Sequence, residues 1–226
     1  MGKSKIYVNG KLLAEHFGGY LPVVVDVTDA LEFGKENLIA VWADNSNDPN
    51  YPPGKQQEVL DFTYFGGIYR DCWLIAHNQV FITDPNYENE EAGGGLFVAY
   101  NNVSDHSAEV LLKIQIRNSG RKAFKGVVEY ELQQPDGQQV ASLNSVIRIK
   151  PGKSTYSSDK LTVKSPMLWS PENPALYNLI VRIRDEKGNP IDGYRRRIGI
   201  RSIEFKGEDG FWLNGKPYEA PLIGAN

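Results

Sequence analysis

Ala108-Glu109-Val110-Leu111-Leu112-Lys113-Ile114-Gln115-Ile116-Arg117 is the stretch that decides the fold class. Val110, Leu112, Ile114 and Ile116 occupy every second position, and Lys113, Gln115 and Arg117 the positions between. A period of two fits a strand, whose successive side chains point to opposite faces, and not a helix of 3.6 residues per turn. The same alternation predicts a strand over residues 127–133, with Val128, Tyr130 and Leu132 inward. Further strands are predicted near 146–149, 155–163 and 176–185. Pro135-Asp136-Gly137 is a turn with a mechanism, since proline presets φ and glycine accepts φ > 0. Lys187-Gly188-Asn189 closes the last of these strands. About seven short strands with regular turns imply an immunoglobulin-like sandwich.

On the N-terminal side, Ile6-Tyr7-Val8-Asn9-Gly10-Lys11-Leu12-Leu13 predicts a hairpin, because Asn-Gly suits a turn with positive φ at both central residues. Residues 20–27 and 67–77 read as strands, and residues 37–44 as a buried strand. Thr28-Asp29-Ala30-Leu31 is at most one helical turn. Residues 45–54 are rich in Asn, Asp, Pro and Ser and form a loop long enough to carry function. The acidic run from Asp84 ends in Gly93-Gly94-Gly95 and marks a domain boundary. On the C-terminal side, Leu213-Asn214-Gly215-Lys216 is a second Asn-Gly hairpin. Residues 220–226 read as an apolar strand whose sheet is expected to lie outside this chain. No helix of ordinary length is predicted.

Composition agrees and excludes. The 226 residues hold 22 Gly, 13 Pro and 12 Tyr, the usage of a turn-rich β protein. A net charge of −3 with 23% charged residues argues against a polybasic nucleic-acid binder, so no nucleic-acid partner is expected. No run approaches the roughly 20 apolar residues of a membrane helix, so no membrane partner is expected. A single cysteine, Cys72, and three scattered histidines, His16, His77 and His106, give no reason to expect a disulfide, a metal site or a cofactor.

Three clusters together resemble glycoside hydrolase family 2, the family of β-galactosidases, β-glucuronidases and β-mannosidases. The first is Tyr7-Val8-Asn9-Gly10-Lys11 with His16, Gly18-Gly19-Tyr20 and Asp26-Val27-Thr28. The second is Asp61-Phe62 followed by Gly66-Gly67-Ile68-Tyr69-Arg70-Asp71-Cys72-Trp73-Leu74. The third is Leu168-Trp169-Ser170-Pro171-Glu172-Asn173-Pro174-Ala175-Leu176-Tyr177, then Gly199-Ile200-Arg201 and Leu213-Asn214-Gly215-Lys216-Pro217. Cys72 stands where the family often has an aliphatic residue, and a small hydrophobe packs equally well there. The resemblance implies an all-β chain of two consecutive sandwiches. Residues 1–84 would be an incomplete jelly-roll-type sugar-binding domain, residues 85–205 the immunoglobulin-like sandwich, and residues 206–226 a linker with the first-strand stub of a catalytic barrel. A sandwich lacking strands exposes an edge and an apolar face, so self-association, strand exchange or disorder is expected in the first domain.

Family members hydrolyse with two glutamates at the mouth of the barrel, and both are expected downstream of this chain. No catalytic residue is therefore expected in it, and the chain alone is expected to be inactive. The implied role is to brace the barrel and to position the terminal sugar of a β-linked substrate, β-galactoside first. Asp61 is the first substrate-binding candidate. The matching family aspartate hydrogen-bonds the terminal sugar, and a carboxylate accepts from two hydroxyls at once; a turn or cap aspartate is the alternative. Asp44 closes its strand and either shapes the same pocket or caps an Asx turn with the Asn45-Ser46 run. Tyr64 and Phe65 either stack on a sugar ring or pack in a core, and Tyr51 belongs to a loop that either lines a cleft or is plain surface. Arg70 and Asp71 read as a structural pair or domain-contact residues, and Trp169 as core packing. Arg195, Arg196 and Arg197 read as a solvated strand edge, and Glu129 and Glu131 as a solvent-facing polar stripe. The expected partners are carbohydrate, the catalytic barrel and a homo-oligomer. A free-standing carbohydrate-binding or adhesin module is the competing reading of the same residues.

Overall fold

The structure is a computed structural model that describes residues 2–50, 54–62, 66–91 and 93–219. The chain divides into two units, Met1–Ile75 and Ala76–Asn226, upstream of the boundary expected at Asp84.

The first unit carries one antiparallel sheet of β1 (Lys3–Val8), β2 (Lys11–Phe17) and β3 (Ile39–Asp44) in the order β2-β1-β3. Val8 pairs with Lys11, leaving the two-residue Asn9-Gly10 turn expected from the sequence, with φ of 50° and 80°. Asn9 also holds the segment that leads into β3. Its amide donates to Ala30 O at 3.0 Å and Asn37 Oδ1 at 2.8 Å, and its Oδ1 accepts from Leu38 N at 2.9 Å. The chain that leaves β2 is thus pinned beside the hairpin just before it enters β3, after a 3-10 turn at Thr28–Ala30.

Three sequence expectations fail in this unit. Residues 20–27 and 67–77 join no ladder among the described residues. Their β-branched and aromatic side chains suit a pleated surface, but a strand exists only through its partner. β3 is a strand but is not buried: Ile39, Ala40, Val41 and Trp42 are all exposed. Among the described apolar residues of the unit only Val8 is fully buried.

The second unit is a sandwich. Its first sheet is built on β6 (Ser107–Asn118), the strand that the opening stretch predicted. β9 (Lys153–Lys164) pairs along the whole of one edge of β6, from Ser107↔Lys164 to Asn118↔Lys153. The other edge is shared end to end. β5 (Leu96–Asn101) covers residues 109–114, and β4 (Val80–Ile82) covers 116–118. The second sheet has the order β11-β10-β7-β8, from β7 (Phe124–Gln133), β8 (Gln139–Ile149), β10 (Tyr177–Asp185) and β11 (Pro190–Ile198). Val110, Leu112, Ile114 and Ile116 of the first sheet meet Val128, Tyr130, Leu132, Leu179, Val181 and Ile183 of the second in one core. At roughly 1.5–3 kcal/mol for each fully buried aliphatic side chain, this core is the main force holding the two sheets together.

Between β4 and β5 the chain leaves the sheet and crosses its outer face. Asp84 caps a single helical turn, α1 (Pro85–Glu88), by accepting from the N–H groups of Asn86 and Tyr87. Pro85 suits the first helical position and Asn89, at φ 50°, ends the turn. This strap buries Gln115, which the alternation placed on the face opposite the core. The Thr83 hydroxyl donates to Gln115 Oε1 at 2.7 Å and accepts from Gly95 N at 2.9 Å. Gln115 Nε2 reaches Glu90 at 3.3 Å, and Glu90 accepts the Tyr156 hydroxyl at 2.6 Å. Arg117 closes the strap with a 2.6 Å ion pair to Glu88.

After the sandwich come three short strands, β12 (Ile203–Phe205), β13 (Phe211–Leu213) and β14 (Lys216–Pro217), in a meander. The second Asn-Gly pair forms its expected turn, with φ of 52° at Asn214 and 73° at Gly215. Like Asn9, Asn214 both donates and accepts: its amide donates to Trp169 O at 3.0 Å and its Oδ1 accepts from Ser202 N at 3.1 Å. The strand expected at 220–226 lies outside the described residues.

Candidate functional site

The candidates of the first unit sit at and after the end of β3. Asp44 is its last residue, and its Oδ1 accepts from Ser46 N at 2.8 Å. That is the Asx turn weighed against a pocket role, and the Ser46 N–H holds the Asp44 carboxyl below its ordinary value. Asp48 repeats the motif with Asn50 N at 2.9 Å and adds a 2.5 Å ion pair to Lys3, which also holds its carboxyl low. Asn47 Oδ1 accepts from Gln57 N at 3.2 Å across the loop. Short polar side chains bonding nearby backbone therefore order this loop.

Asp61 comes after a 3-10 turn at Gln57–Val59 and is exposed. It has no hydrogen-bond or ion-pair partner among the described residues. The chain then returns toward β3. A Cβ built on Gly66 would stand 3.6 Å from Asn45 Cβ, so the backbone just past Asp61 lies against the residue just past Asp44. Tyr64, Phe65 and Tyr51 lie outside the described residues. Arg70 and Asp71 form no ion pair among the described residues; the Arg70 guanidinium lies 5.3 Å from the Tyr69 ring centre, and the Tyr69 hydroxyl donates to Gly19 O at 2.7 Å.

In the second unit the charged residues weighed for chemistry are committed to structure. Glu131 pairs with Arg182 at 2.6 Å and Glu129 with Arg184 at 2.8 Å. Arg182 stands opposite Glu129 in the ladder, so each pair reaches diagonally to the next residue on the same face. The stripe read as solvent-facing is thus a cross-strand charge lattice, and Arg182 holds the Glu131 carboxyl below its ordinary value. Arg195, Arg196 and Arg197 are exposed on β11, an edge strand as expected. Trp169 packs on Gly199, where an added Cβ would come within 2.9 Å of its ring, and Arg201 lies over it at 4.9 Å.

A polar cleft of about 280 Å³ opens beside the β13–β14 hairpin, lined by Asp105, Ser170, Glu172, Asn214, Lys216 and Tyr218 among others. The Tyr218 hydroxyl donates to Glu172 at 2.8 Å, which keeps the Glu172 carboxyl ionised to lower pH and pushes the Tyr218 phenol up. Sequence reasoning missed Asp105 and Lys216, because these residues are far apart in the chain and no local motif joins them.

Comparison with known proteins agrees with this architecture. Residues 95–201 match the sequence model of the family described as Glycosyl hydrolases family 2. A putative beta-glucuronidase of Formosa agariphila is 36% identical over 213 residues, 94% of this chain and 23% of that protein. A beta-galactosidase of Thermoanaerobacter pseudethanolicus is 31% identical over 215 residues, 95% of this chain and 26% of that protein. Among solved structures, a Bacteroides uniformis beta-glucuronidase superposes with a TM-score of 0.81 at 32% identity, over 96% of this chain and 25% of that one. The chain spans about a quarter of the length of these relatives. The ordered motifs, the all-β sandwich architecture and the sequence-model match identify residues 95–201 of this chain as a domain of glycoside hydrolase family 2.

Proposed function

We propose that this chain is the non-catalytic N-terminal portion of an exo-β-glycosidase of β-galactosidase type. In this reading it comprises a sugar-binding domain to about residue 84, an immunoglobulin-like sandwich to about 205 and the entry to a catalytic barrel. The parent enzyme hydrolyses a terminal β-linked sugar, and its acid/base and nucleophilic glutamates belong to the barrel. Retaining hydrolysis needs two carboxyl groups held about 5–5.5 Å apart on a rigid scaffold. The second unit braces that scaffold, and Asp61 positions the terminal sugar. The observation that carries this reading is the likeness of 94–95% of the chain to proteins named as beta-glucuronidase and beta-galactosidase. The exposed carboxylate of Asp61 supports its role, because two lone-pair-rich oxygens can accept from two adjacent sugar hydroxyls.

Titration calorimetry of the purified chain with methyl β-galactoside tests this. Saturable binding is expected, weakened about 10- to 100-fold in Asp61→Ala, in line with ~1.5–3 kcal/mol for hydrogen bonds to a charged group. No turnover of a nitrophenyl β-galactoside is expected from the chain alone. Binding unchanged in Asp61→Ala, or turnover at an enzyme-like rate, overturns the reading.

A further inference from the structure

The loop that leads from β3 to Asp61 is fixed at successive points by short polar side chains. Asp44 Oδ1 accepts from Ser46 N at 2.8 Å, and Asp48 Oδ1 accepts from Asn50 N at 2.9 Å. Asp48 also ties the loop to β1 through its 2.5 Å ion pair with Lys3. Asn47 stands between these two Asx turns, so its backbone is held to the sheet from both sides.

From that fixed point Asn47 reaches ten positions along the chain, where its Oδ1 accepts from Gln57 N at 3.2 Å. Gln57 opens the 3-10 turn Gln57–Val59, and Gln56 before it supplies no side-chain cap. The first N–H groups of a helical turn have no partner within it. Asn47 therefore caps this turn from a distance. The turn closes with Leu60 N donating to Gln57 O at 3.2 Å, and Asp61 is the next residue. Downstream, Gly66 lies against Asn45, where an added Cβ would stand 3.6 Å from Asn45 Cβ. The segment that carries Asp61 is thus held at its start by Asn47 and at its end by Asn45, two residues of one sheet-anchored loop.

We infer that Asn47 is a positioning residue for sugar binding, acting through Gln57 on the place of the Asp61 carboxylate. The inference rests on the reading of Asp61 as the residue that holds the terminal sugar. A carboxylate that accepts from two adjacent hydroxyls must be placed closely, since O–H···O bonds span only about 2.5–3.0 Å. A displacement of about 1 Å forfeits them, and without the Asn47 acceptor the turn before Asp61 loses its tie to β1. The side-chain carbonyl is the part of Asn47 that does this work, so aspartate can replace it and alanine cannot.

Calorimetry of the full chain with methyl β-galactoside, together with hydrogen exchange at the Gln57 amide, tests it. Asn47→Ala is expected to speed exchange at Gln57 and to weaken binding about 3- to 10-fold, the range for one lost neutral hydrogen bond. Asn47→Asp keeps the acceptor and is expected to restore both to near the wild-type values. In an Asp61→Ala background, Asn47→Ala is expected to weaken binding no further, because its effect passes through Asp61. Wild-type binding by Asn47→Ala, no rescue by Asn47→Asp, unchanged exchange at Gln57, or losses that add in the double variant overturn this inference and leave the role of Asp61 standing. A wild-type chain that does not bind the sugar, or Asp61→Ala binding as wild type, overturns the sugar-binding reading and this inference with it.

Discussion

Replacing Gln115 by leucine isolates the contribution of the strap that crosses the sandwich. Gln115 is 3% exposed on the outer face of β6, and leucine preserves most of its volume. The substitution removes the acceptor of the Thr83 hydroxyl, a 2.7 Å bond, and leaves that hydroxyl buried with only a 3.4 Å contact to Gln115 O for its proton. A buried donor deprived of its partner costs about 1–3 kcal/mol. The 3.3 Å contact to Glu90 adds little, because Glu90 keeps the Tyr156 hydroxyl at 2.6 Å. Leucine's own apolar burial offsets part of the loss, at about 0.8 kcal/mol per buried methylene. The expected net destabilisation is about 1.4 kcal/mol, a tenfold change in the opening equilibrium. Native-state hydrogen exchange at the amides of Leu112 and Ile114 measures it, since these strand-centre amides report on opening of this unit alone. Thr83→Val should cost more, because it also strands the Gly95 N–H. The double variant should fall short of the sum by at least about 0.5 kcal/mol, as expected for residues in one network. Unchanged exchange in Gln115→Leu, or strict additivity, refutes the reasoning.

Acid stability depends on the charge lattice of β7 and β10. Arg182 lowers the folded-state pKa of Glu131 below its ordinary 4.5, so the pair stabilises the unit above that value and the contribution is lost as pH falls through the lower, folded-state value. Arg182→Met is expected to flatten the decline of stability below about pH 4.5, as followed by urea midpoints at stepped pH; an unaltered decline refutes this. Gly126→Ala places a Cβ 2.1 Å from the Arg184 carbonyl oxygen, a backbone atom that cannot swing aside. A loss of at least about 1–3 kcal/mol and a lower melting temperature are expected, and a wild-type melt would count against the geometry.

The sandwich was legible because its signal is local. Alternation in residues 108–117 put Val110 to Ile116 on the inner face, and both Asn-Gly turns form with positive φ. What alternation could not show is which outer-face residue is covered: Gln115, Lys113 and Arg117 look alike until the strap from Thr83 to Gly95 lies over one of them. Residues 20–27 and 67–77 mislead for a related reason. Side-chain preference says that a segment suits a sheet, whereas ladder formation depends on a partner elsewhere in sequence. The candidate site divides the same way. The Asx turn at Asp44 is dictated by its neighbours. Asp61 was named through family resemblance, and the cleft of Asp105, Glu172 and Lys216 exists only once three distant loops converge.

The tandem sharing of one edge of β6 by β4 and β5 has a mechanical consequence. A pull applied at the junction between the two units enters the sandwich through β4, which is held by three register pairs, a 2.7 Å bond from Ile82 N to Asp192, and a 2.9 Å bond from Asn78 to Ile191 O. β9 grips the other edge of the same strand through twelve register pairs. Under load β4 therefore works as a fuse. It peels from Asn118 toward Ile116 and removes Val80 and Ile82 from the core, while the β6–β9 splint and the second sheet keep their grip. The strap between β4 and β5 is next in line, held by the Thr83–Gln115, Glu88–Arg117 and Glu90–Tyr156 contacts, so tension meets three register pairs and then this strap before it reaches the twelve-residue ladder behind them.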